Sequence, residues 1–155
     1  MAGYEIREMT ANDIPQIAEI EKAVFPLPWS EADLMGELKN NVMAMYLVLS
    51  DEGAREEVLA YCGLWKIFEE GHITNIAVKP AAQGKKLGKL LVYAMIQWAW
   101  ANGIKSVTLE VRENNKKAIS MYKKAGFKEA GIRPGYYAET GENALIMWLH
   151  RDEAL

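Results

Sequence analysis

The sequence predicts an α/β domain, with one mixed sheet flanked by about four helices. Three observations carry that expectation. Segments of strand and helical periodicity follow one another in the order βααβββαβαββ. A strand, the longest helical stretch and a second strand fill residues 71–111, the length of a parallel βαβ crossover. The 155 residues amount to about one domain, 50% apolar and 25% charged, without repeat or linker. A single domain over residues 1–155 is therefore expected.

Each element has a local reason. Residues 4–9 read as a strand. Residues 10–24 read as a helix, with Ile14, Ile17, Ala18 and Val24 on one face. Phe25-Pro26-Leu27-Pro28-Trp29 breaks it, because each proline biases its predecessor away from helix. Ser30, with Asp33 three residues on, caps a second helix to about Lys39. Residues 44–49 and 58–67 form a hairpin across the polar stretch 50–57. Residues 71–78 form a β-branched strand ended by Pro80. In the helix 85–102, Leu87, Leu90, Leu91, Ala94, Trp98 and Ala101 recur at helical spacing, and Gly103 stops it. A strand at 106–111, a short helix at 115–124 closed by Gly126, and strands at 128–133 and 144–149 complete the chain.

Composition excludes several classes. Lys and Arg number 18 against 21 Asp and Glu, so the net charge of −3 argues against nucleic-acid binding. No apolar run approaches the roughly 20 residues of a membrane helix, and residues 1–8 hold no signal-peptide core. A cytoplasmic protein is expected. The one cysteine, Cys62, excludes an internal disulfide and reads as a buried strand residue. His72 and His150 are too few and too far apart in sequence to argue for a metal site, and none is expected.

The loop Gln83-Gly84-Lys85-Lys86-Leu87-Gly88-Lys89 joins a strand to a helix N-terminus. Unpaired N–H groups and the helix dipole favour an anion there, and glycines let backbone approach phosphate closely. Lysines at that end oppose the dipole, which suggests a purpose other than stability. An ordinary surface loop with solvated lysines is the alternative. The P-loop and dinucleotide patterns are absent.

This loop resembles the acetyl-CoA signature (R/Q)xxGx(G/A) of the GNAT acetyltransferases, with Gln83 and Gly88 at its ends and Lys86 in place of the central glycine. The preceding Thr74-Asn75-Ile76-Ala77-Val78-Lys79-Pro80 is similar to the family's strand. So is Leu109-Glu110-Val111-Arg112, followed by Asn114-Asn115, Ala118-Ile119 and Met121-Tyr122-Lys123-Lys124-Ala125-Gly126-Phe127. Phe25-Pro26-Leu27-Pro28-Trp29-Ser30 and Arg133-Pro134-Gly135-Tyr136-Tyr137 narrow the resemblance to the RimI-like ribosomal-protein-alanine N-acetyltransferases. Gly135 stands where that subgroup often has Asn, and Ala138 where it often has Pro.

The resemblance implies the GNAT acyl-CoA N-acyltransferase fold and transfer of acetyl from acetyl-CoA to an amine. Pantetheine would lie between two splayed strands, against Ile76, Ala77 and Val78. The pyrophosphate would fall on Gln83, Gly84, Lys85, Lys86, Leu87, Gly88 and Lys89, and Asn115 would touch the cofactor. Glu110 would be general base, Tyr122 general acid, and a backbone N–H near Val78 the oxyanion donor. Trp29, Tyr136 and Tyr137 would border the acceptor. That acceptor would be a protein N-terminus, with the N-terminal alanine of the eighteenth small-subunit ribosomal protein implied. A small-amine acetyltransferase, for polyamines or amino sugars, and a non-catalytic acyl-CoA-binding module are the alternatives. The chain is expected to be a monomer or weak dimer.

Read without the resemblance, Glu110 between Leu109 and Val111 is strand alternation facing solvent, and Tyr122 a half-buried helix aromatic. As a base, Glu110 faces a gap of about 3.5 pKa units, roughly 5 kcal/mol, to an α-ammonium. A carboxyl raised by burial, or a water relay, would narrow it. Lys86 is expected at negative φ, in a helical conformation.

Overall fold

In the computed structural model, which describes residues 3–153, the strands are β1 (Tyr4–Glu8), β2 (Ala44–Asp51), β3 (Ala54–Ile67), β4 (Glu70–Val78), β5 (Ser106–Arg112), β6 (Lys128–Tyr137) and β7 (Glu142–His150). The helices are α1 (Ile14–Val24), α2 (Glu31–Asn40), α3 (Leu87–Ala101) and α4 (Lys116–Lys124). The element order is the one the sequence predicts. The seven strands make one sheet, ordered β1-β2-β3-β4-β5-β7-β6. Only β4 and β5 pair in parallel; every other neighbouring pair is antiparallel.

The strands alternate, so the sheet has two apolar faces. On one, Leu87, Leu91 and Met95 of α3 and Tyr122 of α4 pack with Leu47, Cys62, Leu64, Val107 and Leu109. On the other, Ile14, Ile17 and Ala18 of α1 and Leu34 of α2 pack with Tyr46, Val48, Tyr61 and Ala77. A Ser30–Asp33 capping box starts α2, as its spacing predicts.

Four boundaries differ from expectation. A short 3₁₀ turn, Ala11–Asp13, precedes α1, whose first turn holds Pro15. The polar stretch 50–57 is mostly strand, and the hairpin turns at Glu52 and Gly53. Charged side chains there are paired on the surface, Arg55 with Glu5 (2.8 Å) and Lys79 with Glu57 (3.2 Å). α3 begins at Leu87, so Lys85 and Lys86 belong to the loop. β6 runs through Arg133, Pro134 and Gly135 to Tyr137, an exposed edge on which bulges and a proline are tolerated.

Gly63 is where two strands leave no room. A Cβ there would lie 2.3 Å from a ring carbon of Tyr46, whose hydroxyl is tied to Glu37 (2.8 Å). Gly63→Ala should therefore cost about 3 kcal/mol and lower the melting temperature by about 6–12 °C, read by calorimetry. An unchanged melting temperature would show that Tyr46 gives way freely.

Candidate active site

β4 and β5 are paired only at Glu70–Ser106, Gly71–Val107 and His72–Thr108. Both strands continue, β4 to Val78 and β5 to Arg112, but no longer with each other. The register shift between Gly63 and Leu64 leaves Thr74 as an extra residue in β4, a bulge just beyond the last parallel pair. On its other edge β4 stays paired with β3, and the Lys79 N–H donates to the Leu59 carbonyl (2.8 Å). Antiparallel ladders alternate, so the N–H and C=O groups of Ile76 and Val78 point away from β3, toward the gap.

The start of α3 covers this gap. A Cβ at Gly88 would touch Val78, Ile76 and Met121 of α4, each at 3.6–3.9 Å, so three elements meet there. The first N–H groups of α3 have no intrahelical acceptor. Gly84 has φ +85° and open space around its missing side chain. Lys86 has φ 62° and ψ 28°, left-handed rather than helical, which overturns the expected negative φ. The reason is the tight turn into α3: the backbone keeps the conformation natural to glycine although the residue has a side chain. Gln83 shapes the loop, since its amide donates to the Val78 carbonyl (3.1 Å) and its N–H to the Pro80 carbonyl (3.3 Å). Leu87 is buried and offers only backbone, whereas Lys85 is exposed and Lys89 half-buried, 5.9 Å above the Tyr93 ring. Asn115 caps α4 by accepting from the Ala118 N–H (3.2 Å).

A left-handed lysine makes a sharp test. Lys86→Gly should bind acetyl-CoA within about threefold of wild type, because the backbone conformation is kept. Lys86→Val should bind about tenfold more weakly, since a β-branched residue resists positive φ at a cost of about 1–2 kcal/mol. Titration calorimetry reads both, and equal affinities would show that the conformation is irrelevant to binding.

Glu110 faces away from α3. Its side chain is 8% exposed, so simple solvent-facing alternation does not describe it. One carboxylate oxygen lies 2.6 Å from His72 Nε2, the other 3.6 Å from Arg133 Nε, and Tyr136 also hydrogen-bonds it. His72 holds the Glu110 carboxyl below the usual carboxylate range, with Arg133 and Tyr136 acting the same way against burial. Of the two ways of narrowing the proton gap, a carboxyl raised by burial is ruled out, because these donors outweigh desolvation, and the water relay is left. His72 is the functional residue that sequence reasoning missed. It lies 38 residues from Glu110, but the parallel register sets it beside Thr108, two residues from Glu110 on the same face.

Tyr122 sits on the opposite face, 4% exposed, with its ring edge-on to Phe127 (5.7 Å). Burial pushes its phenol well above the ordinary value, so the proton is retained throughout the neutral range.

Tyr136 reaches Glu110, and Trp29 packs in the apolar cluster on the same face of the sheet. Trp29 is half-buried in the turn between α1 and α2. Tyr136 and Tyr137 end β6, with their rings edge-on at 5.1 Å. The Arg112 guanidinium lies 3.9 Å from the Tyr137 ring centre and pairs with Glu139 (2.7 Å) and Glu142 (2.8 Å), fastening the turn to β5. Burial pushes the Tyr137 phenol up to about 12. Gly135 has φ +61°, a conformation that glycine and asparagine share, so glycine in place of the subgroup's asparagine keeps the backbone.

Open left-handed backbone at the start of α3, parted parallel strands and a hydrogen-bonded carboxylate on the opposite face are features that suit acyl transfer. The model of the acetyltransferase (GNAT) family matches residues 14–127, and the chain belongs to that family. A Bacillus subtilis (strain 168) protein, named as a candidate [ribosomal protein bS18]-alanine N-acetyltransferase, is 38% identical over 148 residues, covering 96% of each chain. The Haemophilus ducreyi [ribosomal protein bS18]-alanine N-acetyltransferase is 34% identical over 94% of this chain and 99% of its own. The crystal structure of the Escherichia coli ribosomal-protein-S18-alanine N-acetyltransferase superposes with a TM-score of 0.85 at 29% identity, over 98% of this chain and 95% of the other.

Proposed function

We propose that this enzyme moves the acetyl group of acetyl-CoA to the N-terminal α-amine of a protein, and that the N-terminal alanine of ribosomal protein bS18 is its acceptor. The observation that carries the reading is the parting of β4 from β5 directly beyond the His72–Thr108 pair, with Glu110 and His72 on one face and the α3 start on the other. The names of the relatives supply the acceptor's identity.

The residues fit acetyl-CoA. The N–H groups of Ile76 and Val78 face the gap and suit an amide-rich arm, and the open left-handed loop at Gly84 and Lys86 suits a pyrophosphate. Lys85 and Lys89 add charge at the same end, and the Asn115 amide lies at the neighbouring helix start. When bound, acetyl-CoA supplies an activated thioester carbonyl. The Val78 N–H then serves as the oxyanion donor, since nothing in the β3 ladder engages it. Tyr122 keeps its proton and is the acid assigned to the departing thiolate, although burial makes the phenol a weaker acid and the transfer steeper.

On the acceptor face Glu110 receives the amine proton, directly or through a water. The gap, about 5 kcal/mol for an ordinary carboxyl, is wider here because Glu110 is held low. His72 orients the carboxylate, its Nε2 lying 2.6 Å from one oxygen and its side chain 31% exposed against 8% for Glu110.

Among the described residues no helix is long and apolar enough to cross a membrane. The reading places the enzyme in the cytoplasm, as a monomer or weak dimer. Its test is an acceptor panel with thiol release as readout: an alanine-initiated bS18 peptide, a lysine-only peptide and spermidine. Release with the first alone is expected. Preference for spermidine would move the enzyme to the small-amine class, and silence with all three would make the chain a binding module.

A further inference from the structure

Among the described residues the mechanism leaves two buried carboxylates unused, Asp13, which Arg7 pairs at 2.8 Å, and Glu21, for which no cation is seen. Glu21 of α1 is 1% exposed, and burial pushes its carboxyl above the ordinary range. Both of its hydrogen bonds come from neutral donors, the Trp29 backbone N–H at 2.9 Å and the Asn75 side-chain amide at 3.5 Å. A buried carboxylate without a cation is costly, so what it holds is informative.

It holds two parts of the acceptor side. The turn from Phe25 to Trp29 contains Pro26 and Pro28, which have no N–H, leaving three backbone donors. The Phe25 N–H goes to the Glu21 carbonyl (2.9 Å), and the Trp29 N–H goes to the Glu21 carboxylate. One residue therefore anchors both ends of the turn. Asn75 is the first β4 residue past the Thr74 bulge, where β4 has left β5. Glu21 thus couples the Trp29 turn to the strand that forms the gap.

We infer that Glu21 is a positioning residue for the acceptor: by holding Trp29 and Asn75 it fixes the spacing between the proline turn and β4, the groove the incoming N-terminus would cross. The inference rests on the acetyl-transfer reading of that groove. It separates the two substrates, because the acetyl-CoA contacts lie on the other face of the sheet.

The test is steady-state kinetics on Glu21→Met and Glu21→Gln with the alanine-initiated bS18 peptide. The methionine fills the space without an acceptor and should raise the peptide KM about tenfold, leaving the acetyl-CoA KM and kcat within about threefold. The glutamine should stay within about twofold of wild type. Its oxygen accepts from Trp29, and its amine can face the Asn75 amide oxygen, which has no partner at present. If Glu21→Met does not fold, Glu21→Asp, which withdraws the carboxylate by one methylene, should raise the peptide KM in the same selective way. A folded methionine variant with unchanged peptide KM, a parallel rise in both KM values, or no rescue by glutamine overturns the inference. No thiol release by the wild-type protein with this peptide would overturn the underlying acceptor reading as well.

Discussion

Glu110→Gln should lower kcat about 10²–10³-fold while leaving acetyl-CoA affinity unchanged, in line with the loss of a general base. The amide keeps the shape, so Arg133 and Tyr136 still have a neighbour, but it cannot take a proton from the amine. Acetyl-CoA affinity is spared because the cofactor-side groups, from Gly84 to Gly88 and along Ile76 and Val78, belong to the opposite face. His72→Gln should cost less, about tenfold, if the ring only orients the Glu110 carboxylate through the contact at 2.6 Å. The order of the two losses is the discriminating measurement. A larger loss at His72 would make the imidazole the base and Glu110 its orienting partner. Full activity of Glu110→Gln at neutral pH would remove Glu110 from the proton path.

The pH profile follows from the same geometry. The Glu110 pKa is lowered, so the carboxylate is ionised both at neutrality and well into the acid range. Protonation of Glu110 therefore does not set the acidic limb near neutral pH.

The elements were legible because each has a local cause. Proline at 26 and 28 breaks a helix, Ser30 and Asp33 cap one, and the helical recurrence of Leu87, Leu90, Leu91, Ala94 and Trp98 turns one side of α3 to the core. What was not legible depends on pairing between distant segments. His72 reads as an isolated residue until the parallel register sets it beside Thr108. The Glu110 side chain reads as solvent-facing alternation until His72, Arg133 and Tyr136 are seen to converge on it from β4 and β6. Lys86 failed for a different reason. The tight turn into α3 imposes a positive φ, and a lysine there gives no local sign that it adopts one.

An alanine-initiated basic peptide with free N-terminus and blocked lysines should be acetylated about 300-fold faster at pH 7 than the same peptide with a blocked N-terminus and free lysines. About a tenth of an α-amine is unprotonated at that pH, against less than about a thousandth of a lysine. The difference of roughly 2.5 units corresponds to about 3.5 kcal/mol. The site has little means of closing that gap for lysine, because Glu110 is a weaker base than an ordinary carboxylate. The two substrates should also differ in profile. With the α-amine, kcat/KM should rise about tenfold per pH unit below the amine pKa and level off near pH 8, where the acceptor is deprotonated. With the lysine substrate it should still be rising at pH 9, since that amine titrates near 10.4. Rates followed from pH 6 to 9 on both peptides decide the matter. Equal rates, or a shared plateau, would mean that the site itself sets the amine's protonation and does not select for an α-amine.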